Sequence, residues 1–241
     1  MFAKIQNLIK ILKKVDKFWL ITWLFIFSSF ALLDMIRPNF WGTTVIKYTG
    51  ILINLLYACQ KFRKDHLLQI ALFFTLLADT ILVLDQVSPV GVFTFAIAQF
   101  FHISRLAKTS PKFFSIVLVS IFSVFCFASI NKIPPIFILG FIYGLFLTTN
   151  LILSYKLSQT KPKPIKTYAI FAFYGFILFA CCDACVAISY LSRIHFLPSF
   201  FYDPANYLAW IFYYPSQLLI ANSSLISVKT KIDTNSKSML Y

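Results

Sequence analysis

Eight stretches of the 241-residue chain, roughly 18–35, 41–59, 67–87, 90–107, 113–130, 135–156, 167–191 and 206–227, are apolar over about the length of a membrane-spanning helix. A helix rises about 1.5 Å per residue, so about 20 residues cross a hydrocarbon core of about 30 Å, whereas a barrel strand needs only about 9–11. In lipid each backbone N–H and C=O has to be satisfied within the protein, and a run of this length does so as a helix. The expectation is an all-α polytopic integral membrane protein, a bundle of eight transmembrane helices. Composition agrees, with 59% hydrophobic residues, 29 Phe and a mean hydropathy of +0.79. The connections between runs are short and polar and hold the residues that stop helices: Pro38, Pro89, Pro111, Pro162 with Pro164, and Pro198 with Pro204.

Charge then orients the bundle. The formal net charge is +14, and 22 Lys and Arg stand against 8 Asp and no Glu. Nucleic-acid binding would gather the cations on one patch, but here they recur along the chain. Eighteen of the 22 fall before the first run, in alternate connections (Lys61, Arg63, Lys64; Arg105, Lys108, Lys112; Lys156, Lys161, Lys163, Lys166) and in the C-terminal tail. Only Arg37, Lys132 and Arg193 fall on the other side, and Lys47 lies inside the second run. Positive charge marks the cytoplasmic side, so both termini are expected there, which requires an even number of crossings. The domain reading is a basic amphipathic segment at 1–17, one eight-helix transmembrane domain at 18–228 and a basic cytoplasmic tail at 229–241. Phe2, Ile5, Ile9 and Leu12 recur at helical spacing, as in an interfacial helix, although a basic tail that only sets orientation reads equally well. The first apolar run is followed by no small-residue cleavage site and is read as a retained helix. The expected location is the plasma membrane, the inner one in a bacterium.

A charged group at the bilayer centre costs about 2.5–3.5 kcal/mol on insertion scales, so the few polar residues at depth carry the information. Counted from the non-cytoplasmic face, Asp79, Gln99, Asp183 and Gln217 lie at a similar level on four different runs. Gln99 and His102 share a helix face by their spacing, and Asn206, Trp210, Tyr213, Tyr214 and Gln217 form a polar and aromatic stripe on the eighth run. The economical arrangement points these groups at one another around a pocket. Two carboxyl groups in a dry pocket cannot both ionise cheaply, which favours a carboxylic acid beside a carboxylate. That pairing suits protonation of an acid-labile ether followed by stabilisation of the cation.

The plainer alternative is that Asp79 and Asp183 only bond neighbouring helices or pair with Lys47, but interhelical hydrogen bonds contribute only about 0.6–2 kcal/mol. Lys47 itself either snorkels outward, balances the aspartates or meets a phosphate. Asp85, beside Ser88 and Pro89, reads as a carboxylate at a helix end. Tyr213 and Tyr214 serve packing as readily as a site, and His102 is as readily a hydrogen-bonding residue as a catalytic one. Cys182-x-x-Cys185 lies within an apolar run with no second Cys pair or nearby His in sequence. It reads as packing, and neither a metal nor a cofactor is expected.

The segments "LLADTILVLD…VGVFTFAIAQFFHISR", "FYGFILFACCDACVAISYL" and "WIFYYPSQLLIA" resemble the signature segments of the YhhN-like membrane proteins, the family that includes animal lysoplasmalogenases. The matching positions are Ala78-Asp79, Gly91, Phe95, His102, Cys182-Asp183 and Tyr213-Tyr214-Pro215-Ser216-Gln217. Ala78, Cys182 and Arg105 stand where the family usually carries Gly, Ser and Tyr. The resemblance implies eight helices and a membrane hydrolase that cleaves the vinyl ether of lysoplasmalogens to a fatty aldehyde and a glycerophospho head group. It implies Asp79 and Asp183 as the catalytic pair; together with the polar residues at depth it leaves Gln99, His102, Tyr213, Tyr214, Gln217 and Lys47 as candidate substrate contacts. The implied partners are a single-chain lysophospholipid and membrane lipids. Two other classes fit an intramembrane acid pair: a proton-coupled lipid or small-solute transporter, and a non-catalytic lipid-binding protein. The sequence has neither a convincing internal repeat nor many Gly or Pro interruptions within its deep runs, features that transporter sites commonly show.

Overall fold

The computed structural model describes residues 17–37, 41–85, 88–107, 134–162 and 165–224. They form seven α-helices: α1 (Lys17–Ile36), α2 (Trp41–Lys61), α3 (His66–Leu84), α4 (Pro89–Ala107), α5 (Pro135–Thr160), α6 (Ile165–Arg193) and α7 (Tyr202–Ala221), with a 3₁₀ turn at Ser199–Phe201 before α7. No strand is present among the described residues. α1, α3, α4, α5 and α6 are long and apolar enough to cross a membrane. The N-terminal amphipathic segment, the 113–130 run and the C-terminal tail lie outside the described residues.

Local chemistry sets the helix ends. The Asp65 carboxylate accepts from the Leu68 N–H at 3.2 Å and caps α3, while Asp85 closes that helix with its own N–H on the Ile81 carbonyl, the helix-end role its position suggested. α4 and α5 open on Pro89 and Pro135, where a missing N–H costs nothing. α7 starts four residues before the apolar run, at Tyr202, because Pro204 fits its first turn. Pro215 stands inside α7, and the helix continues through it to Ala221.

Each helix packs on its neighbours in sequence order, and α7 returns to α2, so α2 to α7 close a ring with α1 against the α2/α7 seam. Side-chain pairs fix the directions. Lys47 meets Asp34, Tyr48 meets Thr80, Tyr143 meets Asp183 and Phe179 meets Tyr213, which makes those neighbours antiparallel when read with Trp19–Tyr57, Phe62–Gln69, Tyr155–Phe173 and Gly175–Ile220. Two neighbours are parallel instead. α2 and α7 pair Lys47 with Trp210 and Tyr57 with Asn222, and α4 and α5 pair Phe95 with Tyr143 and Gln99 with Asn150.

The helix stripes follow the surroundings. On α3 the buried residues Leu68, Ala71, Leu72, Thr75, Ala78 and Asp79 recur at three and four, while Ile70, Phe73, Leu77 and Val83 are exposed, as suits a helix with lipid outside and protein inside. At the α6/α7 seam the backbones approach closely. A Cβ added at Gly175 would lie 3.2 Å from the Ser216 carbonyl and from the Ile220 backbone nitrogen, so only glycine allows this approach.

Candidate functional site

The stripe that buries Ala78 carries Asp79 into the ring, where its Oδ2 accepts a 2.6 Å hydrogen bond from the Tyr213 hydroxyl on α7. Across the ring the Asp183 Oδ2 on α6 accepts one of the same length from the Tyr143 hydroxyl on α5. Two carboxyl groups 104 positions apart in the chain are thus each held by one tyrosine, Asp183 from the adjacent helix α5 and Asp79 from α7, which is not next to α3 in the ring. Phe95 and Phe179 join the halves. Phe95 lies 6.1 Å from Tyr143 and 6.5 Å from Tyr213, and Phe179 lies 6.5 Å and 5.5 Å from the same two rings, centroid to centroid. Cys182 lies within electrostatic range of both aspartates, and Tyr213 within range of Tyr143. Among the described residues each Oδ1 has no protein donor, so one oxygen of each carboxyl group is left for another partner.

A polar column continues from this layer. Gln99 neighbours Tyr143, and both its backbone carbonyl and its Oε1 accept from the Asn150 Nδ2 at 2.9 Å. The Ser154 hydroxyl donates to the Asn150 carbonyl. One turn beyond Gln99, His102 is buried with its ring 5.4 Å from Phe176 and its Nδ1 without a partner among the described residues. Gln217, one turn beyond Tyr213, is buried beside Ser216, 3.5 Å from its hydroxyl. At the end of the column Arg105 donates to the Ser223 carbonyl and hydroxyl at 3.2 and 2.9 Å, and Ser224 donates to Asp65 Oδ2 at 2.9 Å. Arg105, where the sequence departs from the resembled family, ties α4 to the chain just after α7.

Two candidates face elsewhere. Tyr214 is rotated about 100° around α7 from Tyr213. It stacks on Trp23 at 4.8 Å and on Phe27 at 5.9 Å and meets Phe30 edge-on at 5.2 Å, fully buried against α1 and α2 over Gly50. Lys47 forms a buried ion pair with Asp34 of α1, its ammonium 4.9 Å from the Trp210 ring centroid and 5.7 Å from that of Phe30. Sequence reasoning did not single out Asp34, Tyr143 or Asn150.

The two cavities described lie away from the aspartates, one of about 280 Å³ among Gln60 to Asp65 and Ser224, the other of about 10 Å³ among Trp19, Trp23, Ile53, Asn54, Tyr57 and Leu218. Among the described residues no three His, Cys, Asp or Glu side chains converge as metal ligands would, and Cys182 and Cys185 are free buried thiols.

Five helices of membrane-crossing length mark a multi-pass membrane protein, and two tyrosine-held carboxyl groups stand between its helices. Within that class, the chain belongs to the YhhN family, whose model matches residues 42–224. The matched segment begins after α1 and takes in both aspartates and both of their tyrosines. Comparison with curated proteins and with solved structures gave no significant match.

Proposed function

We propose that the chain is a lysoplasmalogenase-like hydrolase with eight crossings and both termini in the cytoplasm, cleaving the vinyl ether of single-chain phospholipids with Asp79 and Asp183. The observation that carries this reading is the Tyr213–Asp79 and Tyr143–Asp183 arrangement: two carboxyl groups from distant parts of the chain, each oriented by one tyrosine hydroxyl and each with an oxygen left over. A vinyl ether reacts by taking a proton at its outer alkenyl carbon, which leaves an oxocarbenium-like cation on the carbon bonded to oxygen. Water adds there and gives up a proton, and the hemiacetal collapses to an aldehyde and the glycerol hydroxyl. One carboxylic acid supplies the first proton; the other carboxyl group, ionised, stabilises the cation and accepts the proton from water. Tyrosine bonds to Oδ2 fix each carboxyl group so that Oδ1 presents to the alkenyl group, and Phe95 and Phe179 supply an apolar lining that excludes bulk water. In this reading Gln99 and Gln217, a turn further along, position the ether oxygen or the attacking water.

The test is turnover by the purified protein of 1-alkenyl, 1-alkyl and 1-acyl lysophospholipids, with fatty aldehyde, alcohol and acid followed by mass spectrometry. Aldehyde from the 1-alkenyl lipid alone, lost in both Asp79→Asn and Asp183→Asn, is the expected result. Full turnover by either variant would end the acid-pair mechanism.

A further inference from the structure

The Asp34–Lys47 pair sits beside the aspartate layer without contributing to it. Four observations set its position. Tyr48 and Thr80, the residues that follow Lys47 and Asp79 in the chain, hydrogen-bond side chain to side chain at 3.0 Å, which brings the two positions to one level of the bundle. The Lys47 ammonium lies over Trp210, and the Trp210 ring meets Tyr213 edge-on at 5.5 Å, so one aromatic ring separates the cation from the tyrosine that holds Asp79. Asp34 Oδ1 is buried with no partner among the described residues, so the pair is only half satisfied. And the counterion comes from α1, which packs against the α2/α7 seam outside the ring, so displacing one peripheral helix would uncover Lys47 while leaving the carboxyl layer closed.

Burying two charges costs several kcal/mol each unless every lone pair and proton finds a partner. Asp34 alone leaves a strongly hydrated ammonium with three donors incompletely used. A phosphate monoanion offers more acceptor oxygens than one carboxylate oxygen can, and the phosphodiester of a glycerophospholipid lies a few bonds from the sn-1 ether.

We propose that Lys47 is the phosphate-binding residue of the lipid site, with Asp34 as the counterion that the lipid phosphate displaces. This rests on the lipid-cleaving reading for the identity of the ligand but not for its test. In the empty protein Asp34 neutralises Lys47; on binding, the phosphate takes the ammonium and draws the head group to the level of Asp79.

Binding separates this from a purely structural ion pair. Full-length protein in detergent is titrated with a fluorescent lysophosphatidylcholine and with a monoacylglycerol of the same chain, for wild type, Asp34→Asn and the double variant Asp34→Asn/Lys47→Met. The double variant is used because removing Lys47 alone would strand a buried carboxylate. A charge-assisted hydrogen bond corresponds to about tenfold or more in affinity. Asp34→Asn should bind the phosphate-bearing lipid more tightly than wild type and the monoacylglycerol equally well. The double variant should lose about tenfold for the phosphate-bearing lipid alone. A structural pair predicts instead that both variants weaken both lipids together, and that result, or a phosphate preference retained without Lys47, overturns the proposal. Competition by millimolar inorganic phosphate or glycerophosphate distinguishes the ligand's source, and displacement of the lysolipid by either at equal concentration would overturn the lipid assignment. If wild type shows the phosphate preference yet cleaves no vinyl ether, the hydrolase reading fails and the head-group site stands.

Discussion

At the residue scale, the two tyrosine hydroxyls carry the most specific expectation. A hydrogen bond to a charged acceptor contributes about 1.5–3 kcal/mol, so Tyr143→Phe and Tyr213→Phe should each lower kcat on a 1-alkenyl lysolipid by about 10- to 100-fold. KM should change little, since each hydroxyl holds a carboxyl group and not the lipid. Unchanged kcat in both variants would remove the tyrosines from the chemistry. Tyr214→Phe is the contrast: its hydroxyl is buried and unpartnered, so loss of the oxygen should leave kcat within about twofold and not lower the unfolding temperature. Asp79 and Asp183 were legible in the sequence because a carboxyl group at depth is too costly to be incidental. Tyr143 was not, since a tyrosine in an apolar run reads as an anchor or as packing. Its signal was the company it keeps: Tyr143, Asn150, Ser154 and Ser158 fall on one face of α5 at helical spacing, a polar stripe built from neutral groups whose individual insertion costs are small. Lys47 was legible as an oddity, but its partner was not, because Asp34 lies near a helix end where a carboxylate attracts no notice.

At the element scale, the helices follow from apolar length and turn chemistry. The described bounds agree with the apolar runs to within a few residues, and the larger differences have physical causes. α7 begins early because proline is tolerated in a first turn, and α5 runs on to Thr160 because polar residues remain helical until Pro162. Which faces meet was not legible, because lipid is as apolar as leucine and packing in membranes is decided by small residues and shape. Gly175 and Gly144 make this testable. A methyl at Gly175 would meet the α7 backbone, so Gly175→Ala should destabilise by about 1–3 kcal/mol, the usual cost of overpacking. A methyl at Gly144 meets nothing within 4 Å, and Gly144→Ala should be neutral or stabilise by up to about 1 kcal/mol through helix propensity. Thermal unfolding of both variants in one detergent should order them with Gly175→Ala lowest. The reverse order would mean that α6 and α7 do not pack as described.

At the scale of the whole molecule, chain direction limits the number of crossings. α4 and α5 are parallel, since Phe95 meets Tyr143 and Gln99 meets Asn150, with residue numbers rising together along both helices. The chain therefore leaves α4 at the end that carries Arg105 and enters α5 at the opposite end of the bundle, and residues 108–133 connect the two. They contain the 113–130 run, with Lys108 and Lys112 before it and Lys132 after it, the charge asymmetry expected of a crossing that starts in the cytoplasm. On the proposed topology of eight crossings, this run is the fifth and the chain after α7 lies on the same side as the start of α1. Truncation-reporter fusions after Lys108, after Lys132 and after Tyr241 check this directly. A reporter active only outside the cytoplasm should be silent at the first site, active at the second and silent at the third. Like signals after Lys108 and Lys132 would rule out a return crossing between α4 and α5 and with it the parallel pairing that brings Gln99 and Asn150 into the polar column beneath Tyr143, and activity after Tyr241 would rule out an even number of crossings.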